Sequence, residues 1–394
     1  MNKKVRFAIM GCGSIAEIAH FPSLKLAPEA ELVACCDIDE GRAKGAAQKW
    51  GAKYWFLDYK DMLSKCQGLL DAIIIATPPN GHRNQAITCA KAGLHMLIEK
   101  PLAVTNKEAW DIVEAGRKNK VKVMVGCDRR FWTQNKWAKQ LVEQDIIGNV
   151  LMARTSFHET WHLYLDNVAK TDFRLHAEET GGAALPDTGA HAIDLLTWLV
   201  GSKAKRVVGV AKRLAKPASY TLNDDTVWIL IEFENNSTGC VSCNRFSPTS
   251  SQVTELYGTE GTIYTTTDSI HPFQSVPMAV YTNKDFNIED LPEIIANYRW
   301  PELFWAEDIW DRPVRKRWVS INPPRHPSNY ENLIRHFVDC LVKDEEPLTS
   351  GEDGARATEV MMAVIKSMRT NGWVELPLKE EIVPDFYKPL PRED

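Results

Sequence analysis

Three residues of this sequence, Lys100, Asp187 and His191, have the side-chain types and settings that suit acid–base chemistry. Lys100 closely follows the apolar run Leu94–Ile98, which is typical of a buried strand. In an open α/β sheet, a side chain at the carboxyl end of a strand points into the crevice where ligands bind. A cation in that crevice can stabilise the alkoxide that develops when a hydroxyl group is oxidised. We therefore predict that Lys100 acts on a bound substrate.

Asp187 and His191 are four residues apart in a segment with helical spacing of its apolar residues. The pattern predicts a helix over Pro186–Val200, and residues four apart share a helix face. Imidazole takes up protons near neutral pH, so His191 can accept a hydroxyl proton while Asp187 orients the same hydroxyl. Asp194 is predicted either to orient the imidazole or to cap a local hydrogen-bond network. Which of Lys100 and His191 is the proton acceptor stays open.

A structural interpretation of the same helix residues is the alternative. A helix histidine often packs in a core, and a carboxylate near a helix N-terminus can interact with the helix dipole. Lys100 and the cofactor signature described below favour the catalytic interpretation.

The elements that would position these residues begin with an alternation of short apolar runs and helical segments. It predicts a doubly wound parallel sheet, as in a Rossmann domain, over residues 1–127. The predicted strands are Val5–Met10, Glu31–Asp37, Lys53–Phe56, Asp71–Ala76, Leu94–Ile98 and Val121–Val125. The predicted helices are Ala16–Leu26, Glu40–Trp50, Asn84–Ala92 and Lys107–Lys118.

A dinucleotide-binding signature follows the first predicted strand. Gly11 permits a tight turn, Gly13 lets a pyrophosphate approach the backbone, and Ala16 allows close helix–strand packing. Asp37 ends the second predicted strand, where a carboxylate accepts hydrogen bonds from the ribose hydroxyls of NAD and repels the 2′-phosphate of NADP. These residues favour NAD, while nearby Arg42 keeps NADP open. The alternative is a glycine-containing turn that binds no nucleotide.

Further cofactor contacts are predicted around the ends of the first, fourth and fifth strands. The helix that opens after Gly13 presents free backbone N–H groups to phosphate. Prolines after the fourth strand force a rigid exit that would form a wall of the cofactor channel. One residue there, His82, is interpreted equally well as part of that wall or as a surface residue of the next helix. The additional predicted contacts are Ser14, Ile15, Thr77, Pro78, Asn80, His82, Glu99 and Lys100.

The second part of the chain, residues 128–394, has strands in hairpin succession and predicts a largely antiparallel sheet in an α+β domain. Residues 272–326 have no clear periodicity and are interpreted as a loop region over the crevice or at an oligomer contact. The predicted strands are Val150–Phe157, Ala204–Arg213, Thr226–Phe233, Gly239–Asn244, Gln252–Gly258 and Gly261–Thr266. Besides Pro186–Val200, the predicted helices are Glu331–Val342 and Gly354–Thr370.

The composition is that of an ordinary globular protein, with 394 residues, 44% hydrophobic and 25% charged. A net charge of −5 argues against nucleic acid or an anionic membrane as a partner. No apolar run reaches the roughly 20 residues that cross a bilayer, and no signal-peptide core is evident, so we expect a cytoplasmic protein. The nine cysteines show no disulfide framework.

Two short motifs suggest metal chemistry, and neither has the expected context. Cys240 and Cys243 form the CxxC of this chain, but they lie in a predicted hairpin strand and no second pair has zinc-finger spacing. His158, Glu159 and His162 satisfy the HExxH pattern of zinc peptidases, but that motif requires a helix and here it follows a strand-like run. We predict no metal site.

Taken together, the motifs resemble those of the glucose–fructose oxidoreductase, inositol dehydrogenase and MocA-type family over nearly the whole chain. Singly several are weak, but their order and intervals are specific. The matching stretches are Gly11-x-Gly13-x-x-Ala16, Asp71 to Asn80 with His82, Glu99-Lys100-Pro101-Leu102-Ala103, Arg129-Arg130-Phe131, Gly181 to Asp194 and Gly351-Glu352-Asp353-Gly354.

The resemblance implies a Rossmann domain followed by an open-faced antiparallel sheet domain, often assembled through that sheet as a homodimer or homotetramer. It also implies NAD(P)-dependent oxidation or reduction of a sugar, polyol or cyclitol, with Lys100, Asp187 and His191 in the active site. Arg130 matches the Arg-Arg-Phe stretch of the family, and with Trp161 and Arg174 it is a candidate substrate contact. For Trp161, core or interface packing is an equal alternative.

The leading hypothesis is therefore an NAD-dependent dehydrogenase or reductase acting on a sugar or cyclitol. One alternative is a redox-neutral glycosidase or lyase that retains NAD and removes a hydride only transiently. Another is a nucleotide-binding regulator without catalysis, which the set of Lys100, Asp187 and His191 argues against.

Overall fold

The first sheet of the protein has the strand order of a Rossmann fold. The computed structural model describes residues 4–160, 173, 176–215, 224–266, 277–284, 318–321 and 329–392. Six parallel strands run in the order β3-β2-β1-β4-β5-β6, which confirms the predicted doubly wound sheet. The strands are β1 (Val5–Met10), β2 (Ala30–Cys36), β3 (Tyr54–Phe56), β4 (Ala72–Ile75), β5 (His95–Ile98) and β6 (Val123–Val125).

Five helices surround this sheet. Strands covered on both faces read as continuous apolar runs, and every residue of β4 is accordingly buried. Asp39 caps α2 by accepting a hydrogen bond from the Arg42 N–H, and Thr105 caps α5 in the same way from Glu108. The helices are α1 (Phe21–Leu26), which a π-helical turn over Ala16–His20 precedes, α2 (Glu40–Trp50), α3 (Tyr59–Lys65), α4 (Pro79–Lys91) and α5 (Asn106–Asn119).

The fourth helix begins earlier than the sequence predicts. We expected it at Asn84, and it begins at Pro79, with Pro78 as the capping residue. A proline fits the first helical position because its missing N–H has no partner there and its φ is already helical. The rigid exit after β4 is therefore the helix start itself, and Asn80 and His82 lie in the helix.

The second sheet has nine described strands and is largely antiparallel, as predicted. Within the described part of this sheet, β7 and β10 are the one pair of neighbours that runs in parallel. Their order is β14-β13-β12-β11-β7-β10-β9-β8-β15. The strands are β7 (Val150–His158), β8 (Ala204–Lys212), β9 (Thr226–Phe233), β10 (Thr238–Asn244), β11 (Ser251–Gly258), β12 (Gly261–Thr266), β13 (Met278–Thr282), β14 (Trp318–Ile321) and β15 (Val374–Glu375).

In the described part of the chain, one face of the second sheet is covered and the other is open. On β9, Val227, Ile229 and Ile231 are buried, whereas Trp228 and Leu230 are half exposed. This alternation is that of a sheet packed on one face only. The helices of this part are α6 (Thr133–Glu143), α7 (Ala177–Thr180), α8 (Ala190–Val200), α9 (Asn329–Lys343) and α10 (Gly351–Thr370), and a π-helical turn over Leu185–Gly189 precedes α8.

The chain after residue 128 also returns to the first sheet. Phe337 of α9 is fully buried in the same core cluster as Phe7 of β1, and their ring centroids are 6.2 Å apart. Near the C-terminus, the Tyr387 hydroxyl donates to Glu108 on α5 at 2.9 Å. The boundary between residues 127 and 128 stays a prediction, and the packing joins both sides of it.

Much of the loop region predicted over residues 272–326 lies outside the described residues; β13 and β14 are the two strands seen within it. Of the helices in the described part of the chain, none is long and apolar enough to cross a membrane.

Candidate active site

A cleft at the carboxyl edge of the first sheet brings together the three residues predicted to be catalytic. It has a volume of about 720 Å³ including its open mouth. β5 ends at Ile98, so Lys100 emerges at this edge, while Asp187 and His191 enter from the π-helical turn and from α8. The lining also includes Ile15, Thr77, Glu99, Arg245 and Tyr330.

Asp187 bridges two cations in this cleft. Lys100 Nζ donates a hydrogen bond to Asp187 Oδ1 and lies 3.4 Å from the Asp187 carbonyl oxygen. Arg245 Nη1 lies 2.9 Å from the other carboxylate oxygen, Oδ2. Asp187 is therefore held by charge-assisted contacts on both oxygens, which restricts its orientation.

Arg245 is a site residue that the sequence analysis missed. It follows β10 and is 1% exposed, although arginine is rarely buried without a partner. Its Nε also lies 3.6 Å from Glu159, which follows β7. Burial and the charge of Asp187 raise the pKa of Glu159. No sequence motif marks Arg245. The one signal that the sequence offers is its position directly after the predicted strand Gly239–Asn244.

His191 is buried beside the cleft, with its ring centroid 5.9 Å from that of Phe157. Burial and then the charge of Lys100 lower its pKa to about 3, and Asp128 opposes this shift. The imidazole is therefore neutral at neutral pH and free to accept a proton. Its Nδ1 lies 3.3 Å from Asp128 Oδ1.

Asp194, one of whose predicted roles is to orient His191, pairs with Arg130 instead. Its two oxygens accept hydrogen bonds from Arg130 Nε at 2.9 Å and Nη2 at 2.6 Å. Arg130 Nη1 also donates to the Leu348 carbonyl at 2.8 Å. Arg130 is 4% exposed and its guanidinium is occupied by these acceptors, so the prediction that it contacts substrate is wrong. A buried charge needs a paired partner, and Asp194 supplies it.

The glycine signature has the geometry that a bound dinucleotide requires. Gly11 has φ +90°, and a Cβ there would lie 2.5 Å from the Ala76 carbonyl oxygen, so only glycine fits the turn. A Cβ on Gly13 would meet no atom within 4 Å, which leaves open space beside the start of the helical segment. Ser14 and Ile15 are the first residues of that segment, and Ala16 is fully buried. The residues present therefore fit a pyrophosphate at this turn.

Asp37 is anchored next to the same turn. Its Oδ2 accepts a hydrogen bond from the Cys12 N–H at 2.7 Å, and its Oδ1 accepts from the Asp39 N–H at 2.9 Å. Each oxygen retains a lone pair for a ribose hydroxyl. Arg42 is exposed in the first turn of α2.

The other predicted cofactor contacts separate into two groups. Thr77 lies at the cleft and donates to Gln85 at 2.6 Å, and Pro78 and Asn80 are partly exposed beside it. His82 is fully buried and lies within 3.2 Å of the Thr77, Pro101 and Leu102 carbonyl oxygens. The interpretation of His82 as a surface residue is therefore wrong. Its imidazole lies behind the cleft-lining residues Thr77 and Pro101 and links their two loops, and a place in the wall of the cofactor channel stays a prediction.

Glu99 forms the inner wall of the cleft behind Lys100. Its Oε1 lies 2.8 Å from His20 Nε2, and its Oε2 accepts a hydrogen bond from the Lys100 N–H. Burial alone would raise the pKa of Glu99, but His20 and Lys100 together lower it.

Two predicted substrate contacts, Trp161 and Arg174, lie outside the described residues, as does His162. His158 is the last residue of β7, so the start of the HExxH pattern is extended and lacks the helix that a zinc peptidase needs. Cys240 and Cys243 lie on β10 as free cysteines.

The fold and this cleft define an oxidoreductase of the nicotinamide-dependent class, and comparison with known proteins identifies the family. Residues 5–127 match the model of the oxidoreductase family with an NAD-binding Rossmann fold, and residues 135–264 match the model of the GFO/IDH/MocA C-terminal domain. The chain belongs to the GFO/IDH/MocA family of NAD-binding oxidoreductases.

Several relatives match along nearly their whole length. An uncharacterised oxidoreductase of Bacillus subtilis, YrbE, is 26% identical over 385 residues, covering 97% of this chain and 99% of its own. A scyllo-inositol 2-dehydrogenase (NAD⁺) of the same organism is 24% identical over 381 residues, covering 96% and 98%. The structure of a levoglucosan dehydrogenase in complex with NADH has a TM-score of 0.77 at 22% identity, covering 95% of this chain and all of that one. This structural likeness supports the fold described above.

Proposed function

We propose that this protein is an NAD-dependent dehydrogenase that oxidises a CH–OH group of a sugar or cyclitol, with Lys100, Asp187 and His191 as its catalytic residues. The observation that carries the proposal is the meeting of these three residues in one cleft, beside the turn at Gly11 and Gly13. The small-molecule class is supported by the relatives named as inositol and levoglucosan dehydrogenases.

Each residue of the cleft has a separate role in the proposed reaction. Bound NAD would be held by the turn at Gly13 and by Asp37, and it supplies the acceptor for the hydride. The neutral imidazole of His191 takes the hydroxyl proton as the carbon loses its hydride. Lys100 stabilises the negative charge that develops on the same oxygen, and Asp187 fixes the direction of Lys100.

Asp37 supports NAD as the preferred cofactor. Both of its oxygens are already fixed by backbone N–H groups, so the carboxylate stays where a ribose would lie. A 2′-phosphate there would meet a fixed negative charge, which Arg42 on the exposed face of α2 would offset only in part.

The test is a panel of polyols, including scyllo-inositol and levoglucosan, assayed with NAD and with NADP for the absorbance of the reduced nicotinamide. We expect reduction with at least one polyol in the wild type, and its loss in Lys100→Ala with NAD binding intact. Lys118→Ala, which removes an exposed lysine of α5, is the matched control and should keep full activity. Full activity in Lys100→Ala would contradict the assigned role.

The same assay separates the alternatives. Product formed without net reduction of NAD would favour a redox-neutral enzyme that retains its cofactor. NAD binding with no turnover of any sugar would favour a regulator. The arrangement of a neutral base, a cation and a carboxylate around one cleft argues against the regulator, while the same three residues would also serve a redox-neutral enzyme.

We also propose that the chain assembles as a homodimer or homotetramer through the open face of its second sheet. Met152 of β7 and Trp228 and Leu230 of β9 lie on that face, with β10 between the two strands, and they are 46–55% exposed. Exposed apolar groups on one contiguous face are typical of protein–protein contacts. Sedimentation equilibrium tests this, and a monomer at micromolar concentration would contradict it. The cytoplasmic location stays a prediction.

A further inference from the structure

We propose that Asp128 is the positioning residue of His191: its carboxylate keeps the proton of the neutral imidazole on Nδ1, so that Nε2 is the atom that accepts the substrate proton. This inference rests on the proposed function of the cleft, and it names a residue that the sequence analysis did not assign. The two oxygens of Asp128 have different surroundings.

One oxygen of Asp128 is occupied by donors from three directions. Asp128 lies in a short turn after β6 and is 2% exposed. Its Oδ2 accepts a hydrogen bond from Asn329 Nδ2 at the start of α9 and one from Trp132 Nε1 at 3.3 Å. Arg129 Nη1 lies 3.6 Å from the same oxygen. These contacts fix the plane of the carboxylate.

The other oxygen faces His191. Oδ1 of Asp128 and Nδ1 of His191 are 3.3 Å apart, both atoms are buried, and neither forms a hydrogen bond among the described residues. An ionised carboxylate oxygen can only accept a hydrogen bond, so the favoured tautomer carries its proton on Nδ1. Nε2 then carries the free lone pair of the imidazole and can accept a proton from a substrate, since His191 lines the cleft.

The charges around His191 give the carboxylate a second role. Lys100 and Arg129 disfavour a positive imidazole, while Asp128 and Asp187 favour it. When His191 takes the substrate proton, the imidazolium gains the attraction of a carboxylate held next to its Nδ1. Asp128 therefore lowers the barrier for proton transfer as well as orienting the ring.

The substitution Asp128→Asn keeps the shape of the side chain but replaces the acceptor that faces His191 Nδ1 with a donor. Asn329 and Trp132 still require an acceptor, so the amide oxygen of the new side chain takes the place of Oδ2. Its NH₂ group then points at His191 and donates to Nδ1. That hydrogen bond favours the tautomer with the proton on Nε2, which cannot accept the substrate proton. We expect kcat to fall by about 10²- to 10⁴-fold, the usual contribution of a general base, with the Kd for NAD unchanged.

The experiment is nitrogen NMR of the full-length protein labelled in histidine, with the His191 signals assigned by their loss in His191→Gln. We expect the Nδ1–H tautomer in the wild type and the Nε2–H tautomer in Asp128→Asn, together with the loss in kcat. Trp132→Phe removes only one donor to Oδ2 and should keep the wild-type tautomer, which separates a specific effect from a disturbed turn.

The tautomer measurement does not depend on activity, so the two proposals fail separately. An Nε2–H tautomer in the wild type, or an unchanged tautomer in Asp128→Asn, would overturn the role of Asp128 even in an active dehydrogenase. A changed tautomer with an unchanged kcat would overturn its contribution to catalysis. No dehydrogenase activity with any polyol would reject the proposed function, while the expected pair of tautomers would still establish the positioning.

Discussion

The buried imidazole of His191 should make the stability of the protein depend on pH in a defined window. Burial and the charge of Lys100 lower its pKa from 6.5 to about 3 in the folded chain. Below pH 6.5 the unfolded chain binds a proton at this histidine and the folded chain does not. The free energy of unfolding contributed by this group is therefore complete above about pH 6.5 and is lost as the pH falls toward 3.

The size of the effect follows from the two pKa values. One pKa unit corresponds to about 1.4 kcal/mol, so the whole shift limits the contribution to about 5 kcal/mol. Between pH 7 and pH 5 only part of it is lost, and we expect about 2 kcal/mol from this one residue. That difference exceeds the error of a careful denaturant titration.

The assay is urea unfolding at pH 7 and at pH 5 for the wild type and for His191→Asn, which removes the titrating ring. The variant should lose about 2 kcal/mol less than the wild type between the two pH values, because other titrating groups are common to both proteins. His176→Asn is the matched control, since His176 lies near the surface and its side chain is 35% exposed. The His176→Asn protein measures how far replacing a histidine outside the cleft changes the pH dependence.

Equal pH dependences for the wild type and His191→Asn, within about 0.5 kcal/mol, would contradict a lowered pKa for His191. Such a result would mean that the folded protein holds His191 with an ordinary proton affinity. An imidazole with a pKa near 6.5 is still mostly neutral at pH 7 and can accept a proton, so this result would contradict the lowered pKa of His191 and not its role as proton acceptor.

Two further predictions concern the cofactor and the Asp187 carboxylate. Asp37→Asn removes the charge next to the ribose position, so the ratio of kcat/KM for NADP to that for NAD should rise at least about tenfold, or ~1.4 kcal/mol; steady-state kinetics with both cofactors measures it, and an unchanged ratio would contradict the electrostatic argument. Arg245→Met removes the buried partner of Asp187 and should lower the free energy of unfolding by about 3 kcal/mol. Arg245→Lys keeps the charge and should lower the free energy of unfolding by less than Arg245→Met does. Equal losses for the two variants in urea titrations would contradict a stabilising role for the charge.

The Rossmann part of the fold could be predicted because its signals are local. Each parallel strand is buried on both faces, and the resulting apolar runs are visible in the sequence. The predicted and observed strands differ by at most two residues at either end, and β1 agrees at both. Short elements were missed: α3 has one buried residue, Met62, and so lacks a helical apolar pattern.

The site could be predicted only where a residue belongs to a motif. Lys100, Asp187 and His191 are marked by flanking sequence, and the structure brings them to one cleft. The roles of charged residues with distant partners could not be predicted. Arg130 is turned away from the cleft by Asp194, and its pairing becomes visible only in three dimensions.

The same limit applies to residues that complete the cleft. Arg245 meets Asp187 across 58 positions of the chain, and Asp128 meets His191 across 63. No periodicity connects such pairs, because sheet pairing and helix packing bring them together rather than local propensity. Burial and charge pairing in the folded chain are what reveal them.

Whether this cleft transfers a hydride from a CH–OH carbon to NAD can be measured by isotope transfer. The measurement uses a polyol from the panel that is turned over, deuterated at its reacting carbon, and follows the label by mass spectrometry of cofactor and product. We predict one deuterium in the reduced cofactor for each product molecule, and no transfer with Lys100→Ala. Deuterium returned to the product would indicate the redox-neutral enzyme, and product formed without the label ever reaching the cofactor would contradict the hydride transfer.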